Sequence, residues 1–141
     1  MSRIILIETS TALCSVALEQ DGEIVAARES DAPKAHAAMT APFVKQVLEE
    51  RGLTVKDCDA VCVSAGPGSY TGLRVGVSTA KGLCFATGLP LLAVGTLDIL
   101  ARQAMEEGLP GEIRHIIPMV DARRMEVYTA IYSAGGRRLT E

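Results

Sequence analysis

Gly66-Pro67-Gly68-Ser69-Tyr70-Thr71-Gly72 is the stretch of this sequence whose residue types best suit holding a ligand. It follows an apolar strand-like run and opens a helix-like one. Successive backbone N–H groups and the positive end of a helix would then surround one concavity, which suits an anion approached by Gly66, Gly68 and Ser69. The stretch has neither the lysine and spacing of a Walker A loop nor the G-x-G-x-x-G pattern. A second reading stays open beside it: the glycines permit a sharp strand-to-helix turn and close packing. Glu8, Thr9 and Ser10 gather a carboxylate and two hydroxyls where the first apolar run ends. Locally, such a turn spends its hydroxyls on nearby backbone groups. Asp121-Ala122-Arg123-Arg124 puts acid and base together at a comparable turn, where the simple outcome is a solvated ion pair.

Covalent and metal chemistry are thinly supplied. Ser69 does not sit in a G-x-S-x-G elbow, and His36 and His115 are the only histidines available as a base. Position 40, where an H-x-x-x-H pair would place its second histidine, is Thr40. His36 therefore reads as a surface or cap residue. The four cysteines, Cys14, Cys58, Cys62 and Cys84, form no C-x-x-C pair. Cys58 and Cys62 have the spacing of one helical face, yet Cys62 lies in an apolar strand-like run, so both read as small buried residues and no metal site is expected.

The elements that must position these residues are legible from period and punctuation. Arg3 to Glu8 reads as a buried strand, and Cys14 to Glu19 as a second. Asp21-Gly22 is a hairpin signal returning through Glu23 to Arg28. Ala35 to Arg51 reads as a helix stopped at Gly52, with Met39, Phe43 and Val47 in its apolar stripe. Ala60 to Ala65 is a strand, Thr71 to Thr87 a second helix, and Leu91 to Val94 another strand. Thr96 is placed as the N-cap of a third helix reaching Glu107. The pattern then begins again: a strand from Ile116 to Val120, a second from Glu126 to Tyr132, and the turn Ser133 to Gly136. Asp121 stands as far beyond Glu8 as Gly135 stands beyond Gly22. Two ordinary meanders would coincide in this way; so would a duplicated βββαβα unit with a truncated second copy. On the second reading residues 1–110 form a complete first domain and 111–141 the start of another. A meander with no helix to cover it is marginal. Residues 115–141 are thus expected to be loosely held or to borrow a partner, with Val127, Ile131 and Tyr132 partly exposed.

The second helix carries Gly72, Gly76 and Ala80 in one i, i+4 row. Glycine costs about 1 kcal/mol per interior helix position relative to alanine. Such a row expects a compensating close approach, by another chain with Met39, Phe43 and Val47 flanking it, or by the helix's own sheet.

Composition narrows the classes. The chain has 141 residues, 48% of them hydrophobic and 22% charged, enough apolar material for a core. A net charge of −3 argues against a general polyanion-binding coat, and 4% aromatic residues argue against a stacking platform for single-stranded nucleic acid. Glu8 interrupts the apolar start after Ile7, so no export signal is read and a cytoplasmic location is expected. The uncharged run from Gly82 to Leu97 is cut by Gly88, Pro90 and Gly95, which speaks against a membrane span.

Taken together, I-E-T-S-T, C-S-V-A-L, the helix opening at His36, S-A-G-P-G-S-Y-T-G-L-R-V-G-V-S-T-A-K-G, A-V-G-T-L-D and D-A-R-R-M-E-V-Y-T-A-I-Y resemble the bacterial TsaB (YeaZ) family of tRNA threonylcarbamoyladenosine biosynthesis proteins. The resemblance implies an α/β, actin-like ATPase (ribonuclease H-like) fold, with a mixed sheet, flanking helices and a truncated second domain. It implies a non-catalytic subunit that forms homodimers and pairs with TsaD, the subunit that modifies adenosine 37 of tRNA. TsaE joins that assembly, and tRNA is met through the complex. His36, Met39, Phe43, Val47, Gly72, Gly76 and Ala80 are the residues expected at the partner interface. Acids at the first turn orient a phosphate or a metal-bound water in the superfamily, which extends the anion-binding set to Glu8, Thr9 and Ser10. No resident cofactor is implied beyond weak nucleotide binding shared with partner subunits. Two other classes remain: a nucleotide-binding ATPase or small-molecule kinase of the same superfamily, and a metalloprotease-like protein.

Overall fold

Asp21 and Gly22 both adopt positive φ, 53° and 87°, the pairing that lets a two-residue turn match the twist of its flanking strands. They join β2 (Cys14–Gln20) to β3 (Glu23–Ser30), and β2 pairs antiparallel with β1 (Arg3–Glu8). In this computed structural model, which describes residues 1–140, the chain continues through α1 (Ala35–Glu50), a single 3₁₀ turn at Val55–Asp57, β4 (Ala60–Ser64), α2 (Tyr70–Thr87), β5 (Leu91–Val94) and α3 (Thr96–Glu107). β4 and β5 add in parallel, so the five strands run β3-β2-β1-β4-β5. The result is the α/β layout with a mixed sheet and flanking helices that the sequence leads one to expect.

The alternation along β1 and β2 decides which face is core. Ile5, Ile7, Cys14, Val16 and Leu18 are buried and meet Phe43, Val44, Val47 and Leu48 of α1 and Ala80 of α2. Leu6, Ala17 and Cys62 lie on the opposite face and are half-buried.

Differences from expectation cluster at helix and strand ends. Thr96 is not an N-cap. Gly95 holds that position without a side-chain cap, and the Thr96 hydroxyl is shared with Ser64 Oγ at 3.0 Å inside the core. The strand expected over Ile116 to Val120 is split into β6 (His115–Ile116) and β7 (Met119–Arg123), because Pro118 has no N–H to give a ladder. The strand expected over Glu126 to Tyr132 is likewise split into β8 (Glu126–Thr129) and β9 (Tyr132–Ser133). β6 pairs with β9 and β7 with β8, giving two short ladders. The positive φ of the final turn falls on Gly136, at 94°, and not on Gly135. Tyr132 is not exposed: it is 2% accessible and packs with Ala130 against Leu97 and Ala101 of α3. The cover for this segment comes from the same chain.

Candidate functional site

Local hydrogen bonding explains how the first turn meets the glycine loop. Glu8 Oε1 accepts from the Ser10 N–H at 2.9 Å and also from the Ser10 hydroxyl, closing the turn after β1. The Ser10 carbonyl then accepts from the Ser69 N–H at 2.7 Å. A Cβ at Gly68 would fall on that same carbonyl and within 2.8 Å of Ser10 Cβ. Glycine is thus required at 68 for backbone to touch backbone. Ser69 caps α2, its hydroxyl accepting from the Gly72 N–H at 3.3 Å. The Gly66 carbonyl accepts from the Thr96 N–H at 2.8 Å, tying the start of the loop to α3. Glu8, Thr9, Ser10, Gly66, Gly68 and Ser69 therefore form one junction at the end of the sheet.

The small-residue row of α2 faces this junction and not a second chain. Gly72, Gly76 and Ala80 are buried. A Cβ at Gly72 would meet the Thr9 carbonyl, and one at Gly76 the Thr9 hydroxyl, with Thr9 Cβ 3.2 Å away. The expected interface role of this row is corrected accordingly: the close approach that the glycines permit is to β1's own turn. Phe43 and Val47 are likewise buried in the chain's own core, because their face of α1 covers the sheet. Met39 is half-buried against that core. His36 is half-buried and its Nε2–H donates to the Thr11 carbonyl at 2.7 Å. The Thr40 hydroxyl donates to the His36 carbonyl at 2.6 Å and lies 3.3 Å from Cys14 Sγ.

The opposite wall of the junction comes from the β7–β8 hairpin. Asp121 Oδ1 accepts from the Arg123 N–H at 2.8 Å. Arg123, Arg124 and Met125 have φ of 67°, 55° and 63°, a left-handed run that non-glycine residues adopt only when their surroundings impose it. A cavity of about 430 Å³ joins Ser10, Thr11 and Ser69 to Asp121 and Arg123. This arrangement offers an anion the Arg123 guanidinium, the Thr11 and Ser69 hydroxyls and a helix N-terminus, with the Asp121 carboxylate opposing it. With its hydroxyl engaged as a cap and the His36 ring N–H on a carbonyl, Ser69 has no base arranged to activate it. Burial raises the Cys62 thiol above its ordinary value, and Glu19 and Glu8 add to the effect, so it is a poor nucleophile. Among the described residues no three or more His, Cys, Asp or Glu side chains converge on a metal-sized space.

Two exposed aromatic positions escaped the sequence reading. Phe85 stands on α2 with 95% of its surface accessible. Its only sequence signal is an aromatic side chain set among small residues, Gly82 and Ala86. Tyr128 lines the hairpin cavity, and nothing in its local sequence marks it.

A family model described as TsaD, tRNA N6-adenosine threonylcarbamoyltransferase, matches residues 24–141. The "tRNA threonylcarbamoyladenosine biosynthesis protein TsaB" of Escherichia coli (strain K12) is 38% identical over 130 residues, 92% of this chain and 54% of its own length. The protein of the same name from Bacillus subtilis (strain 168) is 35% identical over 130 residues, with the same two shares. Among solved structures, YeaZ from Pseudomonas aeruginosa superposes with a TM-score of 0.84 at 34% identity, covering 100% of this chain and 65% of that one. The chain spans about half the length of the curated relatives it matches.

Proposed function

The chain belongs to the family described as TsaD, tRNA N6-adenosine threonylcarbamoyltransferase, and within it to the TsaB (YeaZ) proteins, and we propose that it acts as a non-catalytic subunit of the machinery that makes threonylcarbamoyladenosine at position 37 of tRNA. Its fold is the actin-like, ribonuclease H-like one. On this reading it pairs with a copy of itself or with a TsaD-type catalytic subunit, TsaE joins the assembly, and the complex works in the cytoplasm. No helix among the described residues is long and apolar enough to cross a membrane.

The observation that carries this reading is the outward side of α2. Phe85 projects from it almost fully exposed, and Gly82, one turn before, has nothing within 4 Å of where a Cβ would lie. On another face of α2, Leu83 joins Leu48, Leu53 and Val55 in lining an apolar groove of about 360 Å³ between α1, its following turn and α2. An almost fully exposed aromatic side chain suits an interface anchor, where a few residues carry most of the binding energy. The test is co-purification with a TsaD-family subunit, paired with light scattering on the protein alone. Phe85→Ser should weaken capture or self-association by about tenfold or more while leaving thermal unfolding unchanged. Capture at wild-type strength by Phe85→Ser would move the interface elsewhere. Threonylcarbamoyl transfer by this protein without any TsaD-type subunit would remove the accessory reading.

A further inference from the structure

The chain has three tyrosines, and the fold divides them unequally. Tyr132 is buried against α3, whereas Tyr70 and Tyr128 are 78% and 49% exposed. Both exposed tyrosines line one cavity of about 360 Å³, formed where the first turn of α2 faces the β7–β8 hairpin. Its other walls are Ser69, Thr71, Asp121 and Arg123. It adjoins the larger cavity at Ser10 and Thr11 through shared Ser69, Asp121 and Arg123. A chain poor in aromatics thus collects two of its few at one place, beside an arginine that makes no ion pair among the described residues.

These groups match the parts of a nucleotide. Every base has a π-face that stacks on tyrosine without regard to sequence. A guanidinium binds a phosphate in a two-pronged geometry, and the N–H groups of the α2 first turn add to that field. Asp121 already accepts from the Arg123 backbone, and its carboxylate retains capacity for a sugar hydroxyl donor. The charge count discriminates between forms of nucleotide. Arg123 is the one cation on the cavity lining and Asp121 offsets it, so the walls meet at most the single charge of a phosphodiester at the guanidinium and cannot balance the clustered charge of a triphosphate. The rings are also exposed, so a strand can enter and leave on either side.

We propose that this cavity takes one nucleotide of a single-stranded RNA segment, its base against Tyr70 and Tyr128 and its phosphate on Arg123. The proposal rests on the tRNA-modification reading above and gives this subunit its own contact with RNA. With a chain of net charge −3, affinity depends on few phosphates, so its salt dependence is shallow, about −0.7 in log–log slope per phosphate contacted.

Fluorescence anisotropy of a labelled single-stranded oligoribonucleotide of about eight nucleotides tests it on the whole chain. Tyr70→Ala and Tyr128→Ala should each weaken binding by about tenfold, with Tyr70→Phe and Tyr128→Phe close to wild type. Arg123→Gln should weaken binding and lower the salt slope by about 0.7. The same sequence as DNA should bind more weakly, and ATP with Mg²⁺ at matched nucleotide concentration should not compete. No anisotropy change with the wild-type protein, alanine variants that bind like wild type, or displacement by ATP would each overturn the proposal. Melting curves check that the variants fold, and the phenylalanine variants separate lost stacking from lost structure. Capture of a TsaD-family subunit is measured on the same wild-type preparation. Intact capture without RNA binding refutes this site alone, whereas absent capture counts against the functional reading whatever the RNA result.

Discussion

At Gly76 an added Cβ would meet the Thr9 hydroxyl and lie 3.2 Å from Thr9 Cβ, both on a fully buried residue behind β1. No flexible side-chain end stands there to swing aside, since Thr9 belongs to the turn that also contacts Gly68 and Gly72 through backbone. Gly76→Ala should therefore destabilise by about 1–3 kcal/mol, and a larger side chain by more, read from urea unfolding midpoints. Gly82 lies on the same helix with open space around it, so Gly82→Ala should stabilise by up to about 1 kcal/mol. The two substitutions have the same helix propensity and opposite surroundings. Equal effects at both sites would show that the Thr9 contact does not decide the sign. The type and spacing of this glycine row were visible in the sequence; its direction was not. An i, i+4 row of small residues announces a close approach, but whether the approaching surface is a second chain or the first turn depends on the tertiary course of β1.

At the scale of elements, the opening βββαβα order and nearly every boundary could be read from local signals, because each rested on a mechanism that acts within a few residues. The Asp21-Gly22 turn, the alternation along β1 and β2, and the stop at Gly88 all belong to that class. What could not be read were connections made by side chains across sequence, such as Ser64 with Thr96, which turned an expected cap into a core pair. The 3₁₀ turn before β4 offers a test of a purely local device. The Thr54 N–H and hydroxyl donate to Asp57 Oδ2 at 2.7 and 3.1 Å. The backbone bond first, and then the hydroxyl, hold the Asp57 carboxyl below its ordinary 3.8. A carboxylate depressed in the folded state contributes stability above its unfolded value, and loses it as pH falls through the folded one. Asp57→Asn should therefore differ from wild type most at neutral pH, and the gap should close in acid. A gap that stays constant across an acid titration of unfolding midpoints would mean that the charge of Asp57 does not matter.

At the scale of the whole molecule, the last segment is held to the first by one buried tyrosine. The short ladders β6–β9 and β7–β8 would be marginal by themselves. Tyr132 and Ala130 bury against Leu97 and Ala101 of α3, with Ile116 and Val120 packed around them. The Tyr132 hydroxyl donates to Asp98 Oδ1, which also lies 3.7 Å from Arg138, and the Arg138 guanidinium sits 5.9 Å from the Tyr132 ring centre. Asp98 is half-exposed, so the hydrogen bond to its carboxylate contributes toward the lower end of such bonds, about 1 kcal/mol. Because β1 to β5 have their own core under α1 and α2, loosening this strut should not unfold them. Tyr132→Phe keeps the ring and removes only the donor. It should raise hydrogen exchange across residues 115–140 by about fivefold, with the five-stranded sheet unchanged. The same strut carries a pH signature. Burial first, then the Asp98 bond, raises the Tyr132 phenol above its ordinary 10.0. A raised folded value means that the contribution is complete below 10.0 and is lost as pH rises through the folded value, where phenolate would face carboxylate. In wild type, exchange in 115–140 should therefore accelerate in alkali beyond the ordinary base-catalysed rise shown by the sheet amides. In Tyr132→Phe that excess should be absent. If both proteins show the same alkaline excess, or if the substitution destabilises sheet and ladders alike, then Tyr132 is not what joins the two parts.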